Sequence, residues 1–142
     1  MLKSKALWAL VLGFAALHLA LAATLPLVED EAYYALWATV PSAGYYDHPP
    51  LVAWGIALGQ ALLGEGRLAV RLVSVLDFAL VTLLTYRIAY LYSRDDRTAF
   101  RAALWSTAML PLAVFGFAAT PDAPSVLFWT AAVWALAEAQ AA

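Results

Sequence analysis

Four long apolar segments constrain this chain more than any other feature of its sequence. They occupy residues 6–23, 68–92, 102–119 and 125–142, and the shorter ones would be about 27 Å long as α-helices, close to the thickness of a bilayer's hydrocarbon core. Hydrophobic residues make up 65% of the sequence and charged residues 13%, whereas soluble domains average about 45–50% and about 25%. We therefore predict an all-α membrane protein with about four transmembrane helices.

Basic residues set the predicted orientation of these segments. Lysines precede the first segment, and an arginine-rich stretch at residues 94–101 follows the second. Because lysine and arginine favour the cytoplasmic side, we expect a cytoplasmic N-terminus and an external loop over residues 24–67. Asp30 in that loop and Asp122 before the last segment should then emerge on the same outer face. A cleaved signal peptide would also begin with lysines, but residues 6–23 are longer than a usual signal core.

The external loop is too long to lack structure, so it should contain helices. Acidic residues followed by apolar residues at helical spacing predict a first helix over residues 30–40, which is rich in Tyr and Trp. Pro50 is suited to begin a second helix over residues 51–63, which is apolar nearly all round but short for a span. We expect both to lie along the membrane surface as interfacial helices.

Each polar motif of the outer face has two interpretations. The carboxylates at residues 29–31 suit a helix start, where they are favourable near the helix dipole, and they also suit proton transfer. Asp122 can cap the last helix or take part in a site. Asp47 and His48 lie beside a diproline, which suits a metal or phosphate site, although a structured turn would use similar residues.

Polar residues elsewhere have structural interpretations first. His18, inside the first segment, is expected to be a hydrogen-bonded packing residue. Asp77, inside the second, is costly in a membrane unless it is paired or faces a polar cavity, so it stays a candidate for function. Arg71 is nearly two helical turns from Asp77, and a direct pair needs both side chains to reach. Asp95 and Asp96 lie among arginines and are expected to form a solvated turn.

Four segments of the chain resemble a known enzyme family in the same order. They are residues 30–34 (DEAYY), 44–51 (GYYDHPPL), 66–72 (GRLAVRL) and 120–124 (TPDAP). Together they resemble the N-terminal loops of GT-C membrane glycosyltransferases, especially the bacterial protein-mannosyltransferase-like family with its aminoarabinose and galacturonic acid transferases. The resemblance implies a multi-pass enzyme of the bacterial inner membrane. Because family members are several times longer, it also implies that residues 1–142 are the N-terminal transmembrane portion of a larger fold, inactive alone.

The resemblance implies a reaction and its acidic residues. A sugar would move from a polyprenyl-phosphate carrier to an acceptor hydroxyl on a lipid, glycan or protein at the outer face, with inversion in a one-step displacement. Asp30 corresponds to the general base or acceptor-positioning carboxylate, and Glu31 beside it joins the catalytic set. Asp122 corresponds to a second acidic position near the acceptor.

The resemblance also implies a donor-binding region. Asp47 occupies an acidic position associated with metal or donor binding, and His48 stands where some relatives have a basic residue near the donor phosphate. Arg67 and Arg71 can add positive charge for the departing phosphate. A divalent metal ion of unknown identity, held by Asp47 and His48, is the cofactor that this arrangement implies.

Composition excludes several other chemistries and leaves two alternatives open. The chain has no cysteine, and so no disulfide, thiolate nucleophile or Cys-ligated metal. Its net charge of -2 gives no sign of nucleic-acid binding. The alternatives are a non-enzymatic membrane subunit that organises partner helices and a transporter fragment that uses Asp77 and His18 as a proton path.

Overall fold

The structure is a computed structural model that describes residues 4–141, apart from the side chain of Phe115. Helices are the only regular secondary structure within these residues, which confirms the predicted all-α class. The seven helices are α1 (Lys5–Thr24), α2 (Glu29–Ala38), α3 (Leu51–Leu63), α4 (Arg67–Ser93), α5 (Asp96–Ala108), α6 (Leu110–Phe115) and α7 (Asp122–Ala141).

Helix α4 is the centre of the bundle, and α1, α3, α5 and α7 all pack against it. Two apolar clusters mark its two ends. One cluster joins the starts of α1 and α5 to the later part of α4, through Leu7, Val11, Tyr86, Ala99 and Ala103. The other lies under α2 and α3 and includes Tyr34, Trp37, Val52, Ile56, Val70 and Ala119. We call the end of the bundle that carries α2 and α3 the loop end.

Two helices, α1 and α4, are long and apolar enough to cross a membrane. Their bounds differ by one residue at each end from the predicted segments 6–23 and 68–92. Helix α3 occupies the predicted residues 51–63, and α2 covers most of the predicted 30–40. The interfacial position of α2 and α3 and the total of four spans stay predictions.

The predicted third span, residues 102–119, does not form one continuous helix. The chain forms α5 and α6 instead, separated at Met109, whose backbone is extended with φ -68° and ψ 122°. Pro111 explains the break, because it has no N–H to donate and its ring would clash with the carbonyl oxygen of Thr107 in a continuous helix. The last segment begins earlier than predicted, at Asp122 rather than at residue 125. Its predicted last residue, Ala142, lies outside the described residues.

Helix α7 runs along α4 for most of its length. At the end of the bundle opposite the loop end, the Arg87 guanidinium donates to Glu138 over 2.7 Å, and the Tyr92 hydroxyl donates to Gln140 over 3.2 Å. The same Glu138 oxygen accepts from the Trp134 indole N–H at 3.0 Å. The final helix therefore begins at the loop end and is fixed to α4 at the other end.

Asp95 and Asp96 are exposed in the turn that begins α5, as the predicted solvated turn requires. Asp95 caps this helix, since its carboxylate accepts from the Thr98 backbone N–H at 2.8 Å and from the Thr98 hydroxyl at 2.6 Å. These bonds hold the pKa of Asp95 below its ordinary value. Asp96 accepts a hydrogen bond from the Tyr86 hydroxyl of α4. Asp95 therefore caps α5, and Asp96 connects α5 to α4.

His18 packs in the core among aromatic rings, 2% exposed. Phe14, Phe78 and Phe117 surround it, with the nearest ring centroid, that of Phe78, at 5.0 Å. The close approach requires Gly116, because a Cβ there would lie 2.5 Å from the His18 ring. The packing role is confirmed, but the expected hydrogen bond is absent at Nδ1, which has no partner among the described residues.

Candidate functional site

Three predicted site segments meet at the loop end of the bundle. They are the first turn of α2, the YYDHPP loop before α3, and the turn that leads into α7. The backbone N–H of Ala119 in that turn donates to the Glu31 carboxylate over 2.9 Å. Asp30 and Asp122 therefore lie at the same end of the bundle, as the sequence predicted from the order of its segments.

The three carboxylates that begin α2 have different surroundings. Glu29 and Asp30 are exposed, whereas Glu31 has no exposed surface. Glu31 points into the bundle and accepts from the Val28 backbone N–H at 3.0 Å, which satisfies a free donor at the helix start. All three favour this helix terminus electrostatically. Of the three, only Glu29 and Asp30 have exposed carboxylates.

Glu31 and Arg71 form a buried ion pair. Arg71, 1% exposed, donates from Nε to Glu31 at 2.6 Å and from Nη2 to the other oxygen of the same carboxylate. Its other three N–H groups donate to the carbonyl oxygens of Ala22, Leu25 and Pro26, at 3.3, 2.9 and 2.9 Å. A guanidinium has five N–H donors. Arg71 therefore has none left for a phosphate.

The pair stays charged despite its burial. Burial alone would raise the pKa of Glu31, but the hydrogen bonds from Arg71, Ala119 and Val28 and the Arg71 charge hold that pKa below its ordinary value. The predicted catalytic role of Glu31 and the predicted phosphate-binding role of Arg71 need side chains that reach a substrate. The structure gives both side chains a different use.

Three exposed carboxylates lie close enough to one buried tyrosine for their charges to act on it. The pKa of Tyr34 is raised by burial, and next by the negative charges of Asp30, Asp122 and Asp47. We call these three residues the acidic trio. Tyr33 also contacts the acidic trio, because the Tyr33 hydroxyl donates to Asp47 over 3.3 Å. Sequence reasoning treated the two tyrosines as membrane-interface residues, although their spacing of three and four from Asp30 places them on its helix face.

Hydrogen bonds fix the loop that presents Asp47 and His48. The Tyr45 ring stacks on Trp37 at 4.6 Å with an interplanar angle of 2°. Its hydroxyl accepts from the Ser42 N–H at 3.1 Å and lies 3.0 Å from the Trp37 and Val40 carbonyl oxygens. The His48 ring lies 5.7 Å from Tyr34 and 6.3 Å from Trp37. The loop therefore holds Asp47 and His48 beside α2 with both side chains exposed.

Arg67 lies at the joint between α1 and α4. Its Nη1 donates to the Thr24 carbonyl oxygen over 3.0 Å, and the side chain is exposed. It lines a surface depression with Ala23, Leu63 and Glu65. His48 and the acidic trio do not line that depression. The structure thus brings His48 to the trio and places Arg67 in a separate depression.

The predicted metal site is incomplete within residues 4–141. No three His, Asp or Glu side chains of this range are grouped so that they could hold a metal ion. Asp47 and His48 supply at most two ligands, fewer than a protein metal site ordinarily uses. These residues alone do not fit a closed metal site, so metal binding stays a prediction.

An apolar cavity of about 260 Å³ lies between α3, α4 and α7. Most of its lining is aliphatic or aromatic, with Asp77, Ser74 and Thr120 as the polar members. The Thr120 hydroxyl is buried and has no partner among the described residues. Asp77, 8% exposed, faces this cavity, while Arg71 is bound to Glu31 instead. The ion pair between Arg71 and Asp77, which the sequence left open, does not form.

Comparisons with known proteins identify relatives of this chain. The family described as dolichyl-phosphate-mannose-protein mannosyltransferase matches residues 47–142. Proteins named undecaprenyl phosphate-alpha-4-amino-4-deoxy-L-arabinose arabinosyl transferase are also similar. The one from Pseudomonas paraeruginosa is 45% identical over 60 residues, which is 42% of this chain and 11% of the relative. Transferase 1 from Pseudomonas fluorescens is 31% identical over 114 residues, covering 72% of this chain and 21% of the relative.

These matches cover different parts of this chain and of its relatives. The chain spans between about a tenth and a fifth of the length of these curated relatives, and no solved structure matches it significantly. The family match begins at Asp47, so it covers the YYDHPP loop only from its acidic residue onward and does not include Asp30. It does include α3 to α7 and the turn with Asp122. On this match, the chain belongs to the dolichyl-phosphate-mannose-protein mannosyltransferase family of GT-C glycosyltransferases.

Proposed function

We propose that this chain forms part of an enzyme that transfers a sugar from a polyprenyl-phosphate carrier to an acceptor hydroxyl. The family match and the names of the relatives, which specify an undecaprenyl phosphate-linked aminoarabinose, support a lipid-linked donor. The observation that carries the proposal to specific residues is that Asp30, Asp47 and Asp122 lie at the same end of the bundle. There Tyr33 of α2 donates to Asp47, and the turn before Asp122 donates to Glu31. A carboxylate can act as the general base that takes the proton of an attacking hydroxyl.

The proposed step is a single displacement. The acceptor oxygen attacks the anomeric carbon of the sugar, and the bond from that carbon to the carrier phosphate breaks, with its electron pair remaining on the phosphate oxygen. Asp30 takes the proton of the attacking hydroxyl. Asp122 accepts a hydrogen bond from the acceptor and orients it. The displacement occurs on the face opposite the leaving group, so it inverts the anomeric centre.

The leaving phosphate needs positive charge. His48 is the candidate beside the acidic trio, because its ring lies near Tyr34 and Trp37 and the residue is exposed. Arg67 is the second candidate, at the start of α4. Trp54, 47% exposed on α3, and Tyr33, 41% exposed on α2, suit a membrane surface where the polyprenyl tail stays in the lipid.

A transfer assay tests this proposal. Membranes carrying the protein, with all sequence that its gene encodes, are incubated with undecaprenyl phosphate linked to a radiolabelled pentose, aminopentose or hexose and with lipid, glycan and peptide acceptors. We expect label to move from the carrier to one acceptor class and the product to have the inverted anomeric configuration. A protein that binds none of the donors and transfers none of the sugars would contradict the proposal.

The proposed site faces outward from the bacterial inner membrane, with the N-terminus in the cytoplasm. The chain has no cysteine, so single cysteines report each face cleanly. We expect Tyr46→Cys, where the native side chain is 96% exposed, to react with an impermeant maleimide in intact spheroplasts. Thr98→Cys, exposed in the first turn of α5, should react only after permeabilisation. Labelling of both from one side would contradict the orientation.

A further inference from the structure

The buried pair of Glu31 and Arg71 connects four separate parts of the chain. Arg71 comes from α4 and binds the carbonyl oxygens at the end of α1 and in the segment that follows it. Glu31 comes from α2 and accepts the N–H of Ala119, in the turn before α7. The guanidinium carbon also lies 5.5 Å from the centre of the Phe117 ring in that same turn.

Both acceptor-side carboxylates of the proposed site are attached to this pair through short backbone segments. Asp30 immediately precedes Glu31 on α2, and Asp122 follows Ala119 by three residues. Ala119 is 1% exposed, so its N–H has no access to water if Glu31 moves away. The Glu31 carboxylate is therefore a direct link between the helix that carries Asp30 and the turn that precedes Asp122.

Neither member of the pair is placed to touch a substrate. Glu31 has no exposed surface and Arg71 is 1% exposed. All five N–H donors of Arg71 are used within the protein. A role in the reaction must therefore act through the residues that they hold.

We propose that Glu31 and Arg71 are positioning residues, which hold the helix of Asp30 against the turn of Asp122 in one fixed arrangement. This inference rests on the proposed function for its effect on transfer. Its structural part concerns the attachment of the turn, residues 116–122, to α2 and can be measured without any substrate. A preorganised separation matters because a displacement of about 1 Å at a reacting group can reduce the rate about 100-fold.

Hydrogen exchange followed by mass spectrometry tests the structural part on the full protein in detergent. The variants are Glu31→Gln and Arg71→Lys, with Glu29→Gln, the exposed carboxylate of the same turn, as matched control. Lysine keeps the charge but loses the five-donor fork. We expect peptides covering residues 116–122 to exchange about tenfold faster in both variants, while peptides of α5 and the Glu29→Gln protein exchange as in the wild type. Unchanged exchange in residues 116–122 of both folded variants would overturn the inference.

Kinetic measurements test the effect of the Glu31–Arg71 pair on sugar transfer. If the pair only positions, Arg71→Lys should lower kcat about 10- to 100-fold with the KM for the lipid donor within about twofold of the wild type. A tenfold or greater rise in that KM with kcat retained would show that Arg71 binds the donor phosphate and would overturn the inference. A further outcome is that the wild-type protein transfers no sugar while residues 116–122 still exchange faster in the two variants. In that case the proposed function is wrong, but the attachment of the turn to α2 by Glu31 and Arg71 is supported.

The effects of the two single substitutions on kcat should not be additive. Each removes the same connection, so Glu31→Gln/Arg71→Lys should lower kcat by about as much as the more damaging single change. Glu31→Asp, which keeps the charge on a shorter side chain, is a second test variant that can be used if Glu31→Gln misfolds. It should retain more of kcat and of exchange protection than Glu31→Gln. Additive losses on a logarithmic scale would mean that the residues act independently, and would overturn the pair as a unit.

Discussion

Replacing Asp30 with asparagine is expected to abolish sugar transfer and leave the protein folded. The amide has nearly the shape of the carboxylate but accepts no proton, so the rate should fall about 100- to 10,000-fold, the usual contribution of a general base. Asp30 is exposed in the first turn of α2, where loss of one charge near the helix dipole costs about 0.3–1 kcal/mol. Initial rates at saturating donor and thermal unfolding in detergent measure the two effects.

The matched control is Glu29→Gln, which removes an exposed carboxylate from the same helical turn. It should keep most of the transfer rate and lose a similar small amount of stability. Near-normal turnover by the Asp30→Asn protein would end its assignment as the base. The corresponding change at Asp122 then becomes decisive, since Asp122 is the other acceptor-side carboxylate whose charge acts on Tyr34.

The sequence predicted the helices that have clear local boundaries. Pro50 and Gly64 enclose α3, and the predicted bounds of that helix match the structure. Segments 6–23 and 68–92 were recognisable from their length and apolar composition alone. The break at Met109 was missed because the apolar run continues across it, although Pro111 was visible as a local signal. Apolar character indicates a membrane environment, and it does not report the continuity of a helix.

The candidate site was predictable only where it depends on chain order. Asp30 and Asp122 lie at one bundle end because the chain returns to it, and counting segments is enough to see this. The partner of Arg71 was not predictable, because Glu31 is 40 residues away and on a different helix. Sequence spacing suggested Asp77, on the same helix, as a partner for Arg71 only if both side chains could reach across nearly two helical turns. Interhelical packing decides which side chains meet, and no local pattern encodes it.

Charge at the loop end has a consequence for donor binding. The Arg71 charge is offset by Glu31 within the core, so it does little for a phosphate at the surface. The exposed groups around Tyr34 are the carboxylates of the acidic trio and the His48 ring. The polyprenyl phosphate of the proposed reaction would meet mostly negative charge there. Its binding therefore depends on His48, on Arg67, or on positive charge supplied from beyond residues 4–141.

Replacing Gly59 with alanine is expected to separate α3 from α4. A Cβ at Gly59 would lie 2.0 Å from the backbone carbonyl oxygen of Ala69 and 3.1 Å from its carbonyl carbon. Backbone atoms cannot rotate away as the end of a side chain can, so the two helices must move apart. Overpacking of a core costs about 1–3 kcal/mol and sometimes more, and we expect about 3 kcal/mol here.

The same substitution at Gly13 is the control for this prediction. A Cβ at Gly13, on an exposed face of α1, would meet nothing within 4 Å, and alanine favours a helix over glycine by about 0.5–1 kcal/mol. Thermal unfolding of both variants in the same detergent should therefore show a lower midpoint for Gly59→Ala and an equal or higher one for Gly13→Ala. Because α3 carries Val52 and Ile56 of the cluster beneath α2, its displacement should also lower transfer. Equal midpoints would mean that α3 does not cross α4 at this closeness, and the support of the loop end by α3 would have to be abandoned.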